Sequence, residues 1–152
     1  MPKPRRLFVA GSERQTRRFN DDANISAFKI TITTPNINYA GTDADVYIEV
    51  AGVHYLLDKP GYDDFERGDT DTYQFRVNLE MGELRDSQIR LYHDNSGSNS
   101  GWYCGKVVMS VKRRNSSYMF VYKEWSDVGW LAKDEPPYYT TEAILQDGAF
   151  VA

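Results

Sequence analysis

Three short stretches concentrate the oxygen-bearing side chains of this sequence. The first is Gly41, Thr42 and Asp43, with Asp45 two residues on. The second is Asp63, Asp64 and Glu66, and the third is Asp94 and Asn95. Five acids fall between Asp63 and Asp71, with Asp58 just ahead of them. Carboxylates held close together must protonate, separate or gain a cation. Calcium suits such a set, because it takes oxygens from carboxylates, amide carbonyls and backbone carbonyls alike. Gly41 permits the tight backbone that turns a carbonyl inward. No loop has the D-x-[DN]-x-[DN]-G register of a single-loop calcium site, so a shared site requires separate loops to converge. The competing reading is that these are ordinary solvated loop acids. Half of a glycosidase carboxylate pair is a weaker third reading, since no aromatic cleft is evident.

Convergence depends on the elements between the loops. Phe28, Ile30 and Ile32 alternate with Lys29, Thr31 and Thr33, which predicts a half-buried strand. Val46, Ile48 and Val50 repeat the pattern, and "GVHYLL" predicts a short strand after a tight turn at Gly52. Pro60-Gly61 opens the acidic stretch as a loop. Further strands are predicted around Tyr73, Phe75 and Val77, around Ile89, Leu91 and His93, and around Val107, Met109 and Val111. "EMGELRDS" reads as a connection with one short turn, "DNSGSNSG" as a loop, and "YMFVYKEW" as an aromatic strand covered on both faces. The tail "TTEAILQDGAFVA" fits a short helix or an edge strand. Seven or eight short strands separated by turns argue for an all-β sandwich. The loops of a sandwich gather at its two ends.

Composition narrows the function classes. A chain of 152 residues, 41% hydrophobic, suits one domain with a sizeable core. Mean hydropathy is -0.60 and no apolar run is long enough to span a bilayer. The net charge is -4, but the first 25 residues carry six basic and three acidic side chains, leaving the remainder at -7. An acidic domain behind a basic segment is a poor nucleic-acid binder, because phosphate contacts dominate that affinity. The N-terminal segment lacks the apolar run of a secretory signal; a basic extension is expected, with an organellar transit peptide as the alternative. Cys104 is the only cysteine, which mildly favours a reducing compartment.

Three segments carry a family likeness: "AGTDADVYIEV" (Ala40–Val50), "HYLLDKPGYDDFERGDTDTYQFRV" (His54–Val77) and "RLYHDNSGSNSGWYCGKVVM" (Arg90–Met109). Together they resemble the PLAT/LH2 domain family, and the middle one is most like the version at the N-terminus of animal lipoxygenases. The resemblance covers about residues 26–137, leaving 1–25 as the basic extension and 138–152 as a tail or a linker to a further domain. It implies an eight-stranded antiparallel β-sandwich of two four-stranded sheets. It also implies calcium ligation by Gly41 and Thr42 through carbonyls, and by Asp43, Asp63, Asp64, Glu66 and Asp94 through side chains, with Asn95 a further candidate. Asp63 stands where the family often has asparagine. Members that insert into membranes place tryptophan in the first and third loops. Here the candidates for membrane contact are Ile37, Tyr39, Tyr62 and Trp125, and the third tip is small and polar.

No enzymatic signature is present in the sequence: it has no H-E-x-x-H, no G-x-S-x-G and no phosphate-binding glycine loop. His93 is expected in the core or in a hydrogen bond, Cys104 buried beside Trp102, and Trp102 itself in the core. Lys106 and Lys112–Arg114 read as solvated, with phosphate contact as the alternative. The resemblance therefore implies a non-catalytic, calcium-dependent lipid-targeting domain, cytoplasmic and peripheral to a phospholipid membrane, as in the regulatory part of a lipoxygenase-like protein. The alternatives are a protein-interaction module that docks to a catalytic domain or partner chain through Trp125 and Trp130, and a free-standing stress-type member of the family.

Overall fold

The computed structural model describes residues 24–59, 61–136, 139–145 and 149–150. The expected basic extension lies almost wholly outside these residues, as does Pro60. Eleven strands and one helix are formed among them. In chain order they are β1 (Asn24–Thr33), β2 (Val46–Val50), β3 (Val53–Leu56), β4 (Thr70–Glu80), α1 (Met81–Asp86), β5 (Ile89–His93), β6 (Trp102–Cys104), β7 (Lys106–Arg113), β8 (Met119–Trp125), β9 (Gly129–Leu131), β10 (Glu142–Leu145) and β11 (Ala149–Phe150). Two antiparallel sheets form a β-sandwich. One has the order β8-β7-β1-β4, extended beyond β8 by the two-residue β11, and the other has the order β10-β5-β2-β3. A minor pair, β6 and β9, stands apart from both.

The alternation in the sequence explains the layers. Phe28, Ile30 and Ile32 of β1 and Val46, Ile48 and Val50 of β2 point into one shared core, with Ile89 and Leu91 of β5 and Val107, Met109 and Val111 of β7. The β1 pattern changes phase near its start: Ile25 and Ala27 are buried, then Phe28, Ile30 and Ile32. The register shifts between Ile25 and Ala27 against both neighbours. Such a bulge leaves one residue extra and reverses which face looks inward. Ala51 and Gly52, both at positive φ, make the two-residue turn between β2 and β3. The aromatic strand β8 is less covered than expected: only Tyr122 and Trp125 are buried. Part of the tail resolves as an edge strand, because β10 pairs with β5 from Glu142↔Tyr92 to Leu145↔Ile89.

Register places the three acidic loops at one end. Thr33, the last residue of β1, faces both Thr70, the first of β4, and Lys106, the first of β7. His93, the last of β5, faces Val46, the first of β2. Residues 34–45, 57–69 and 94–101 therefore leave the sheets side by side.

Candidate metal centre

The first loop is tied to both of the others. Buried Thr34 donates its amide to Asp69 O (2.9 Å) and accepts the Gly68 amide (2.8 Å), while its hydroxyl receives the Trp102 indole N–H (2.9 Å). A Cβ on Gly41 would lie 3.1 Å from both Phe65 O and Arg67 N, so a side chain there would press the two loop backbones apart. Thr42 is buried; its amide donates to Phe65 O (3.2 Å), its hydroxyl donates to Ser100 O (2.6 Å), and that hydroxyl accepts the Ala44 amide (3.1 Å).

The third loop holds Asp43. The Asp43 amide donates to Asn99 O (2.9 Å), and the Asn99 side-chain amide donates to Asp43 Oδ2 (3.3 Å). Gly97, at φ +79°, rests against Asp43, where a Cβ would lie 3.0 Å from Asp43 Cβ. Asp94 is occupied within its own turn. Its Oδ1 accepts the Ser96 hydroxyl (2.6 Å), the Ser96 amide (3.0 Å) and the Asp45 amide (3.1 Å). Partial desolvation pushes the Asp94 pKa up, but these bonds outweigh it and the net shift is downward. Asn95, at φ +60°, donates its amide to His93 Nδ1 (3.0 Å) and accepts the Ser100 hydroxyl (2.8 Å). His93 is buried, with Nε2 on Leu131 O (2.6 Å). Since Nδ1 accepts, Nε2 carries the proton, and burial pushes the imidazole pKa down.

The second loop turns about Phe65. This residue holds φ +60°, a left-handed conformation that is costly for a bulky side chain. Its ring is buried against Tyr73 (centroids 5.5 Å) and Trp102 (5.1 Å). Its amide donates to Asp71 Oδ2 (3.0 Å), and Asp71 is itself fully buried on β4. Lys59 Nζ stands 3.6 Å from Asp71 Oδ1. Asp64 accepts the Lys59 amide (2.9 Å); desolvation raises its pKa against that bond, with Asp58 and Asp71 adding to the rise.

Asp43, Asp63 and Glu66 are left facing one another. Each offers a carboxylate oxygen, and the three oxygens lie within 4.8 Å of one another. Two oxygens on one calcium, at about 2.3–2.6 Å each, stand at most about 5 Å apart. The Glu66 pKa is raised, first by desolvation and then by the charges of Asp63, Asp43, Asp69 and Asp71. The cluster is a surface set of hard oxygen donors able to chelate a divalent cation.

The PLAT/LH2 domain model matches residues 28–132, most of the chain. The chain belongs to the PLAT/LH2 domain family. It is similar to lipoxygenase homology domain-containing protein 1 of Mus musculus, 30% identical over 106 residues, covering 66% of this chain and 5% of that protein. Polycystin-1-like protein 3 of Homo sapiens is 34% identical over 104 residues, covering 62% of this chain and 6% of that protein. Among solved structures, a calcium-dependent 11R-lipoxygenase superposes with a TM-score of 0.53 at 28% identity, over 78% of this chain and 17% of that one. A coral 8R-lipoxygenase, described as activated by calcium through a C2-like domain, gives 0.58 at 20% identity, over 80% and 17%. The chain corresponds to the non-catalytic PLAT/LH2 domain, not to a lipoxygenase catalytic core.

Within this PLAT/LH2 domain, the predicted residues divide into groups. Asp43, Asp63 and Glu66 are brought together, and Gly41 and Thr42 join the first loop to the second. Asp64 Oδ2, Asp94 Oδ1 and Asn95 Oδ1 accept hydrogen bonds from the protein itself, while the buried Asp64 Oδ1 has no hydrogen-bond partner. Ile37, Tyr39 and Tyr62 are 42%, 89% and 47% exposed at the same end. Trp125, a candidate for a membrane or partner surface with a structural role as the equal alternative, packs in the core, opposite Val107 of β7. Trp102 and Cys104 are fully buried, and burial pushes the Cys104 thiol pKa far up. Sequence reasoning missed Gly97, Asn99 and Asp71. Asp71 carried a signal, since it is an acid in phase with the inward-facing Tyr73 of its strand.

Proposed function

We propose that this PLAT/LH2 domain is a calcium-dependent, peripheral membrane-targeting module whose ion sits among Asp43, Asp63 and Glu66. The observation that carries the reading is the convergence of those three carboxylates from two loops. Calcium would neutralise them and lessen repulsion from anionic lipid. Ile37 and Tyr39 in the first loop and Tyr62 in the second are exposed on the loops that carry the cluster and would supply the apolar contact. Transfer of apolar area is worth roughly 25 cal/mol per Å², so a few such side chains support reversible association rather than permanent insertion. The calcium activation described for the 8R-lipoxygenase and the calcium dependence of the 11R-lipoxygenase support the same reading.

Liposome sedimentation tests the proposal. The protein should pellet with phosphatidylcholine–phosphatidylserine vesicles in calcium and remain in solution with chelator. An Ile37→Ser, Tyr39→Ser double variant should bind calcium normally yet stay in the supernatant. If the variant pellets as well as the parent, these tips are not the anchor. If the parent binds calcium and never pellets, docking to a catalytic domain or partner chain becomes the better reading.

A further inference from the structure

Among the described residues, one acid lies wholly inside the domain. Asp71 is 0% exposed, at an inward position of β4 opposite Ile32. A hydrophobic side chain there would avoid the desolvation that a buried carboxylate suffers, and buried ion pairs are weak evidence of stabilisation. Its contacts suggest another purpose. Oδ2 accepts the Phe65 amide at 3.0 Å, and Oδ1 faces Lys59 Nζ at 3.6 Å. The Lys59 ammonium also lies over the rings of Tyr62 (4.8 Å) and Tyr73 (5.1 Å), which hold it at the loop.

Phe65 is the residue about which the acidic loop turns. Asp63 lies two residues before it and Glu66 one after. Its left-handed backbone persists only if its surroundings over-determine it. Three contacts do so: the ring in the core, the carbonyl on the Thr42 amide, and the amide on Asp71. The third is the only one made by a charged group, and charge-assisted bonds are the stronger kind.

The geometry points to Asp71 as a positioning residue for the cation site: it fixes the Phe65 amide, and through it the placement of Asp63 and Glu66, with Lys59 as its internal counter-ion. This rests on the calcium reading above. Asp71 stands outside the trio of Asp43, Asp63 and Glu66: Oδ2 is taken by the Phe65 amide, and Oδ1, which has no hydrogen-bond partner, faces the Lys59 ammonium at 3.6 Å.

The test separates positioning from stability. Calcium titration calorimetry and melting temperature are measured on the full chain for the parent, Asp71→Asn, Asp71→Leu, Glu66→Gln and the core control Val111→Ala. Asp71→Asn keeps an acceptor for the Phe65 amide, so it should lower the melting temperature through the lost Lys59 pairing but hold calcium affinity within about three-fold. Asp71→Leu removes the acceptor and should weaken calcium roughly 10-fold or more, whatever its melting temperature. Val111→Ala should melt early and bind calcium as the parent does. Affinity that follows melting temperature across the set would overturn the positioning role. So would parent-like affinity in Asp71→Leu while Glu66→Gln loses binding, an outcome that leaves the cation site standing. A parent that binds no calcium overturns both. If Asp71→Leu does not fold, hydrogen exchange in the parent decides: a Phe65 amide that exchanges as fast as exposed loop amides ends the proposal, and a protected one supports it.

Discussion

Glu66 and Asp94 are loop carboxylates at the same end of the sandwich, in the second and third acidic loops. Asp94 is met by the hydroxyl and amide of Ser96 and the amide of Asp45, so its charge is balanced by protein donors and its pKa falls. Glu66 is partly desolvated and then met by other acids, and its pKa rises. The third loop uses its acid to close a turn and brace the first loop. The second loop brings its acids toward Asp43 and toward each other, a set able to chelate a cation. A high density of acids therefore does not identify a cation site by itself. What separates the two cases is whether the backbone has already supplied the donors.

The largest expected effect comes from removing the unbalanced charge. An Asp43→Asn, Glu66→Gln double variant should weaken calcium about 100-fold or more, on the scale of two charged contacts. Its metal-free form should melt higher than the parent, because repulsion is relieved. Asp94→Asn should do the reverse, melting lower while losing less calcium affinity than the double variant. Calorimetric titration together with thermal melting checks both arms. Equal loss of calcium binding in the two variants would erase the distinction between the loops.

Gly97→Ala gives a smaller effect and sharpens the link between the third loop and the site. The added Cβ would press on Asp43 at 3.0 Å, at a φ of +79° that L side chains rarely adopt. Destabilisation of about 1–2 kcal/mol is expected. Calcium affinity should fall as well, because Asp43 must shift. A variant that melts early but binds calcium like the parent would mean that the third loop does not place Asp43.

Much of this was legible in the sequence, for reasons that differ by residue. The alternation of Phe28, Ile30 and Ile32 is a local pattern of period two, so the sandwich could be read from it. The three acid-bearing loops were legible because glycine, aspartate and asparagine mark turns. The division between Asp94 and Glu66 was not, because it depends on which amides face each oxygen across 49 residues, as with Asp45 and Asp94. The buried placement of Trp125 was also hidden. An amphipathic ring suits a surface or a core equally, and only the register with Val107 decides. The phase change at the start of β1 was masked for the same reason, since a bulge leaves no mark in residue type.

The smallest effect is in the pH dependence of metal-free stability, and there the two carboxylates should give opposite signatures. Glu66 has a raised folded-state pKa, so the folded form holds its proton more tightly than the unfolded chain. Its favourable contribution is complete below the ordinary glutamate value of 4.5 and is lost as pH rises through the folded value. Replacing it with glutamine should therefore confer no advantage in acid, and an advantage that grows as pH climbs above that range. Asp94 has a lowered folded-state pKa. Its contribution is present above the ordinary aspartate value of 3.8 and is lost as pH falls through the folded value. Asp94→Asn should therefore cost stability at neutral pH and cease to matter in strong acid. His93, whose pKa is lowered by burial, adds its own loss of stability on acidification below 6.5; it cancels in the Glu66→Gln difference, whereas Asp94→Asn removes a charge that holds the His93 pKa up and so deepens that loss in the variant. Thermal melts in chelator across this range, plotted as variant minus parent, supply both curves. A Glu66→Gln difference that stays flat from acid to neutral pH would show that Glu66 is neither desolvated nor crowded by the other acids in solution. Saturating calcium should then abolish the Glu66→Gln advantage at neutral pH, since the ion replaces the proton as the partner of the crowded carboxylates.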